Sequence, residues 1–324
     1  MNASSQSGAP SRPTPPSNAA RAFAPGGIGN LGPGLDVLGC AVTGPGDAVT
    51  ATLIDTAGVR LDNPGHPDLP TAPTMHASAI AATEVLRRAG KTSVGVALSV
   101  EKGLPLAGGQ GGSAASGVAG ALATNAVLGH PLDYPEILMA ALVAEERVAG
   151  RHIDNLAPCL FGGLMLIQSI EPLSFVRLPV PVDLHIVLVH PAMRLSTSRA
   201  RSVLPASVDR ATAMAQAMSL ATMVAAFCTG DLSLLNGAVD DRIAEPARAP
   251  LLPGFPHAKH AALDAGALGC SISGGGPSIF ALADSESAGE RIKDAIVAAY
   301  ASQGLKSTGR VARVDEHGAR VEFV

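Results

Sequence analysis

"PLAGGQGGSAAS", residues 105–116, places four glycines within five positions and then runs into small, helix-tolerant side chains. It follows the alternating, β-branched run "SVGVALSV" (93–100) and opens the Ala-rich segment "SAASGVAGALATNAVLG" (113–129), so it reads as a strand-to-helix turn. A glycine-rich loop that delivers a helix N-terminus suits an anion, because unpaired N–H groups and the helix dipole face whatever occupies it. A close-packed turn without a ligand would use the same residues. The loop lacks the lysine of GxxxxGK[ST] and does not fit GxGxxG with an acid about 20 residues on. Neither of the two commonest nucleotide folds is indicated.

Around this turn, "DAVTATLI" (47–54) reads as a strand, and "MHASAIAATEVLRRAG" (75–90) as a helix closed by Arg-Arg and a glycine stop. The class is α+β, and 324 residues with 47% apolar content suffice for two domains, each with a core. A net charge of −4, seven Phe, two Tyr and no Trp argue against nucleic acid as a partner. Cys40, Cys159, Cys228 and Cys270 lack CxxC spacing and lie among apolar or glycine neighbours, as reduced core residues of a cytoplasmic protein would. Residues 1–20, "MNASSQSGAPSRPTPPSNAA", are too polar and Pro-rich to order, and read as a disordered tail with only a weak similarity to a transit peptide. No apolar secretory core and no run of about 18 uncharged apolar residues is apparent, so no membrane is expected.

Two further glycine-rich stretches, "APGGIGNLGPGLDVLG" (24–39) and "SISGGGPSIFAL" (271–282), lie near opposite ends of the chain. In this order and at these separations the three segments resemble the signature motifs of the GHMP kinases, which act on galactose, homoserine, mevalonate and phosphomevalonate. The central family motif is PxxxGLGSSAA. Pro105, Gly109, Gly111, Ser113, Ala114 and Ala115 match it, while Gln110 and Gly112 stand where the family usually has Leu and Ser. The resemblance spans residues 21 to about 315. It implies a ribosomal-protein-S5 domain 2-like N-terminal domain (21–170) and a ferredoxin-like C-terminal domain (171–324), with the site between them. The boundary is expected at 168–174, "QSIEPLS". The resemblance further implies ATP and Mg2+, with Pro105, Gly108, Gly109, Gln110, Gly111, Gly112, Ser113 and Ala114 around the nucleotide. It leaves a homodimer open.

"EERVAGRHIDNLAPCLFGG" (145–163) is similar to the homoserine-specific branch of that family, in which a Glu precedes His-x-Asp-Asn-x-Ala-Pro. By that likeness Ser113 and Glu145 hold magnesium. Glu146 is the alternative, and the two carboxylates point about 100° apart on a helix. Homoserine is a zwitterion, so its site needs an anion for the ammonium and guanidinium for the carboxylate. The expected partners are Asp154 for the first, and Arg201 and Arg248 for the second, from "LSTSRARSVLP" (195–205) and "DRIAEPARAPLLPGF" (241–255), with Thr197 alongside. Asn30 and Asp36 would shape the pocket mouth, Asn155 would lie by the reacting hydroxyl and His152 would orient the site. Gly274, in the Ser273–Ser278 loop, would help close it. No aspartate base is evident, which phosphoryl transfer tolerates because positioning and charge neutralisation dominate. The implied reaction is ATP-dependent phosphorylation of L-homoserine for threonine synthesis. Another small alcohol, or a non-catalytic ligand-binding role suggested by Gln110 and Gly112, remains open.

Overall fold

In the computed structural model, which describes residues 18–148 and 150–322, the chain folds into two sheets clad by helices. The first part runs β1 (Ala19–Gly29), β2 (Leu38–Ile54), β3 (Gly58–Asn63), α1 (Ala77–Arg88), β4 (Gly95–Glu101), α2 (Gly112–Val127), α3 (Tyr134–Val148), α4 (Leu156–Phe161), β5 (Leu164–Ser169) and β6 (Ser174–Leu178). The second runs β7 (His185–Pro191), α5 (Thr197–Ser202), α6 (Arg210–Thr229), α7 (Ala244–Arg248), α8 (Phe255–Asp264), β8 (Gly269–Ile272), β9 (Ile279–Ala283), α9 (Glu286–Ser302) and β10 (Ser307–Ala312). A final strand, β11 (Arg320–Glu322), returns to the first sheet.

The larger sheet has the order β11-β1-β2-β4-β3, with β5 joined to β2 and β6 to β5; β3 and β4 are parallel neighbours. The smaller sheet, β10-β7-β9-β8, is antiparallel, with helical crossovers between β7 and β8 and between β9 and β10. That is the βαββαβ order of a ferredoxin-like unit. The expected boundary at 168–174 falls on the β5–β6 hairpin, where Ser169 pairs with Ser174. The chain changes sheets later, across 179–184; Glu171–Ser174 instead punctuates the hairpin, whose composition matches that of a linker. Residues 1–17 of the expected tail lie outside the described residues. Ala19 and Ala20 are already strand, because β2 supplies their pairing at Thr52 and Ala51.

Alternation along β7 and β9 serves two cores at once. Ile186, Leu188, Phe280 and Leu282 join Ile28, Leu38 and Val42 of the larger sheet in a core that welds the two units, whereas Val187, Val189, Ile279 and Ala281 face α8 and α9. Under α1–α4 lies a third core. There α2 is buried nearly all round, and a Cβ at Gly120 would lie 2.6 Å from the Ser78 carbonyl oxygen, so α1 and α2 meet backbone to backbone. The small residues of α2 are therefore a packing requirement. α1 ends as expected, with Glu84 bonded to Arg87 and Arg88 and Gly90 at φ +65°.

Two expectations need correction at α6. Residues 211–230 carry no charge, and the helix is, by length and composition only, long and apolar enough to cross a membrane. Interspersed Gln, Ser and Thr disguise this run. One face of α6 packs on the fold through Met223, Ala226 and Phe227, and Gln216 donates to Pro33 O (2.9 Å) and Asp241 Oδ1 (3.0 Å). Cys228 sits on the other, exposed face; Cys40, Cys159 and Cys270 are buried, and all four thiols are free.

Candidate active site

The three glycine segments converge on a cleft of about 440 Å3 between the two sheets. In the turn after β1, Asn30, Leu31 and Asp36 all hold left-handed backbone (φ 67°, 44° and 60°), which reverses the chain within a few residues. Asn30 Nδ2 donates to Gly274 O (3.1 Å), and Gly274 N donates back to Gly29 O (3.2 Å). The 273–278 turn also grips the central loop, through Ser273 Oγ to Gly109 O (2.6 Å) and Ser278 N to Gly108 O (3.1 Å). A Cβ on Gly109 would stand 2.5 Å from Ser273 O, so this glycine is required by packing. Gly111 (φ +69°) caps α2, and Gly108, Gly109, Gly111, Gly112 and Ser113 line the cleft with Pro105. The loop divides by residue: 109 is fixed by packing, while 111–113 open a helix N-terminus to the cavity.

Ser113 Oγ donates to Glu145 Oε2 at 2.8 Å. Glu145 is buried on the inner face of α3, and burial pushes its carboxyl up to about 7 against the pull of the Ser113 hydrogen bond. Glu146 points outward and pairs with Arg151 (3.2 Å), its side chain half exposed. Of the two neighbours, Glu145 lines the cleft and Glu146 does not. A desolvated carboxylate beside a hydroxyl is a hard oxygen pair that suits Mg2+, which commonly binds one or two protein ligands and completes its shell with phosphate oxygens and water. No group of three or more His, Cys, Asp or Glu able to hold a metal occurs among the described residues.

On the other side of the cleft, Asp154 Oδ2 accepts from Asn30 N (3.1 Å), while Oδ1 is buried without a partner. Burial, reinforced by the charge of Asp36, raises this carboxyl to about 6. Asn155 is wedged between the first two motifs: a Cβ on Gly29 would meet its Nδ2 at 2.3 Å, and one on Gly111 its Oδ1 at 3.2 Å. His152 and Thr197 also line the cleft; burial, with Arg201 nearby, lowers the His152 pKa. Arg248 is 3% exposed and donates through Nε to Ala200 O (3.1 Å) and through Nη1 to Gly274 O (2.9 Å). Burial and the charge of Arg201 lower its pKa.

Four expected residues sit differently. Arg201 lines the cleft, but its two terminal nitrogens are spent on Asp36 (3.2 and 2.6 Å), and its Nε is shielded without a partner. Burial raises the Asp36 carboxyl, yet the Arg201 hydrogen bonds and charge outweigh it and hold it below the usual range; Asp36 itself stands outside the lining. Gln110 and Ala114 are also outside it. Ala114 is buried in the α1–α4 core, and Gln110 turns toward the smaller sheet, bonding Ser278 Oγ (3.1 Å) and Arg310 Nη2 (3.3 Å).

The homoserine kinase of Arabidopsis thaliana is 40% identical over 320 residues, covering 95% of this chain and 86% of that one. The chain is also matched by the GHMP kinases N terminal domain model at residues 77–163 and the GHMP kinases C terminal model at 223–302. It belongs to the GHMP kinase family. As a GHMP kinase it is an ATP-dependent small-molecule phosphotransferase. A homoserine kinase of Chlorobium phaeobacteroides is 39% identical, with 93% of this chain and 98% of that one covered. The crystal structure of homoserine kinase from Cytophaga hutchinsonii superposes with a TM-score of 0.91 at 39% identity, over 95% of this chain and 99% of that one.

The kinase cleft also holds residues that sequence reasoning missed. Lys102 forms an ion pair with the fully buried Asp47 and donates to Gly112 O (3.1 Å) and Ser116 Oγ (3.0 Å), while Ser116 Oγ donates to Asp47 Oδ2 (2.7 Å). This network fixes the first turn of α2. A lysine three residues before Pro105 was its only sequence signal, and its partner is 55 residues away. Leu69, Pro70, Met75, Leu106 and Val148 form an apolar wall, with Met75 64% exposed, and make the candidate surface for the adenine ring. Scattered over four segments, they leave no motif.

Proposed function

We propose that this kinase phosphorylates the side-chain hydroxyl of L-homoserine, converting ATP and homoserine to ADP and O-phosphohomoserine for threonine synthesis. The observation that carries the reading is identity near 40% to homoserine kinases over nearly the whole chain. The cleft chemistry supports it: a buried carboxylate with a spare oxygen and two guanidinium groups suit a zwitterion, and they lie in one cavity with the Ser113–Glu145 pair.

In this reading the α2 N-terminus and the 108–113 peptides cradle the phosphates. Ser113 and Glu145 would hold Mg2+, which neutralises phosphate charge when bound. Asp154 takes the ammonium, Arg248 takes the carboxylate with the charge of Arg201, itself paired to Asp36, alongside, and Asn155 orients the hydroxyl. The hydroxyl oxygen forms the new P–O bond, the bond from the γ-phosphorus to ADP breaks, and the hydroxyl proton leaves to solvent. No carboxylate base is required, because a loose transition state builds little charge on the nucleophile. The buttressed turn at 273–278 keeps competing water from the phosphoryl group. ADP release should be fast with L-homoserine and near background with mevalonate or galactose; preference for either of the latter refutes the assignment.

A further inference from the structure

Behind the glycine loop lies a second cleft, of about 690 Å3, which adjoins the first at Lys102, Pro105, Leu106 and Arg194. It is walled on one side by the 102–106 segment and on the other by His190 of β7 and Thr308, Gly309 and Arg310 of β10. Arg310 is mostly buried. Its Nη2 reaches only an amide oxygen, Gln110 Oε1 (3.3 Å), and its Nη1 is shielded from solvent without a hydrogen-bond partner. The other cations of this cleft are accounted for. Lys102 is paired with Asp47, Arg194 bonds Asp68 (2.7 Å), and His66 Nδ1 lies 3.9 Å from the same carboxylate. Among the described residues, no Asp or Glu lines the cleft and Arg310 forms no ion pair. Burial alone acts on its pKa, downward, so the charge is desolvated and uncompensated.

Such a guanidinium is costly unless an anion completes it. We propose that this second cleft is a binding site for a small oxyanion, a phosphate- or carboxylate-bearing metabolite, held by Arg310 with His190 and Thr308 beside it. His190 Nδ1 lies 3.0 Å from Ser278 Oγ, which accepts from Gln110 Nε2 (3.1 Å). Gln110 O in turn accepts from Gly27 N (3.1 Å). The cleft is therefore wired to the back of the nucleotide loop. The glutamine that departs from the family motif is the residue that makes the connection, since a leucine there would leave Arg310 no partner at all.

The test is calorimetric titration of the enzyme with its main cleft filled by homoserine and a magnesium-bound, non-hydrolysable ATP analogue, at constant ionic strength. Inorganic phosphate and malonate are the two probes. Wild type should bind one equivalent of at least one of them, and which one binds names the source as phosphate ester or carboxylate. Arg310→Met should weaken that binding at least tenfold while the analogue binds as before. Thr308→Glu, at an exposed strand position, should do the same by placing a carboxylate beside Arg310, and keeps the test decisive if Arg310→Met does not fold. Failure of wild type to bind either anion, or undiminished binding in both variants, overturns the proposal.

Discussion

Gly109→Ala and Gly112→Ala lie three residues apart in one loop and should behave oppositely. At Gly109 the backbone is left-handed (φ +75°), which costs an L-residue about 1–2 kcal/mol. A Cβ there would also stand 2.5 Å from Ser273 O and 2.7 Å from Gly276 O. These are backbone atoms, so relief requires the 273–278 turn to withdraw, stretching its bonds to Gly109 O and Gly108 O; each such bond is worth about 0.5–1.5 kcal/mol net. Together the terms destabilise the fold by about 2–5 kcal/mol. A retreat of about 1 Å beside the phosphates should also cut kcat/KM for ATP by about 100-fold. At Gly112 φ is not positive and the nearest neighbours of a Cβ are Lys102 Nζ at 3.5 Å and Leu104 Cβ at 3.7 Å, ordinary contacts. Alanine there should stabilise by about 0.4–1 kcal/mol through the unfolded chain and leave kcat/KM near wild type. Urea unfolding and coupled ADP release measure both variants. Gly109→Ala within about 0.5 kcal/mol of wild type, or a Gly112→Ala more damaging than Gly109→Ala, refutes the reasoning.

Glu145→Gln should lower turnover by about 100-fold or more at limiting magnesium, while Glu146→Gln, which loses only an exposed pair with Arg151, should match wild type; the reverse order in a magnesium titration of ADP release overturns the assignment. Arg248→Lys should weaken homoserine by about 30- to 5,000-fold, the equivalent of about 2–5 kcal/mol, and erase most discrimination against homoserinol, which lacks the carboxylate, while KM for ATP holds. Full discrimination in that variant would make Arg248 a structural cation bonded to Ala200 O and Gly274 O.

The features legible in the sequence are those whose cause is local. Glycines at 109 and 111 announce left-handed backbone, Arg-Arg-Ala-Gly announces the end of α1, and β-branched alternation announces β4. Features decided by distant partners left no trace. Glu145 and Glu146 are interchangeable until α3 packs and buries one of them. Arg201 reads as an open carboxylate clamp until the fold brings Asp36 to it across 165 residues. The hairpin at 168–174 reads as a linker because turn residues mark both, and only strand pairing tells them apart. α6 passed unnoticed because Gln, Ser and Thr interrupt its apolar run, and that Gln216 spends its hydrogen bonds inside the protein shows only in the fold.

On the proposed placement of the phosphates, the two departures from the family motif fall where the structure makes them inexpensive. A helix N-terminus binds anions with backbone N–H groups, which any residue at position 112 supplies, and the neighbouring Ser113 keeps the hydroxyl that meets Glu145. Position 110 contributes its carbonyl to Gly27 N and directs its side chain away from the nucleotide cleft, so Leu and Gln present the same backbone to the phosphates. What the substitution changes lies on the far side of the loop, where the amide joins Ser278 and Arg310. A Gln110→Leu variant separates the two faces: phosphate-loop function should persist, while the contact between the loop and the second cleft is lost.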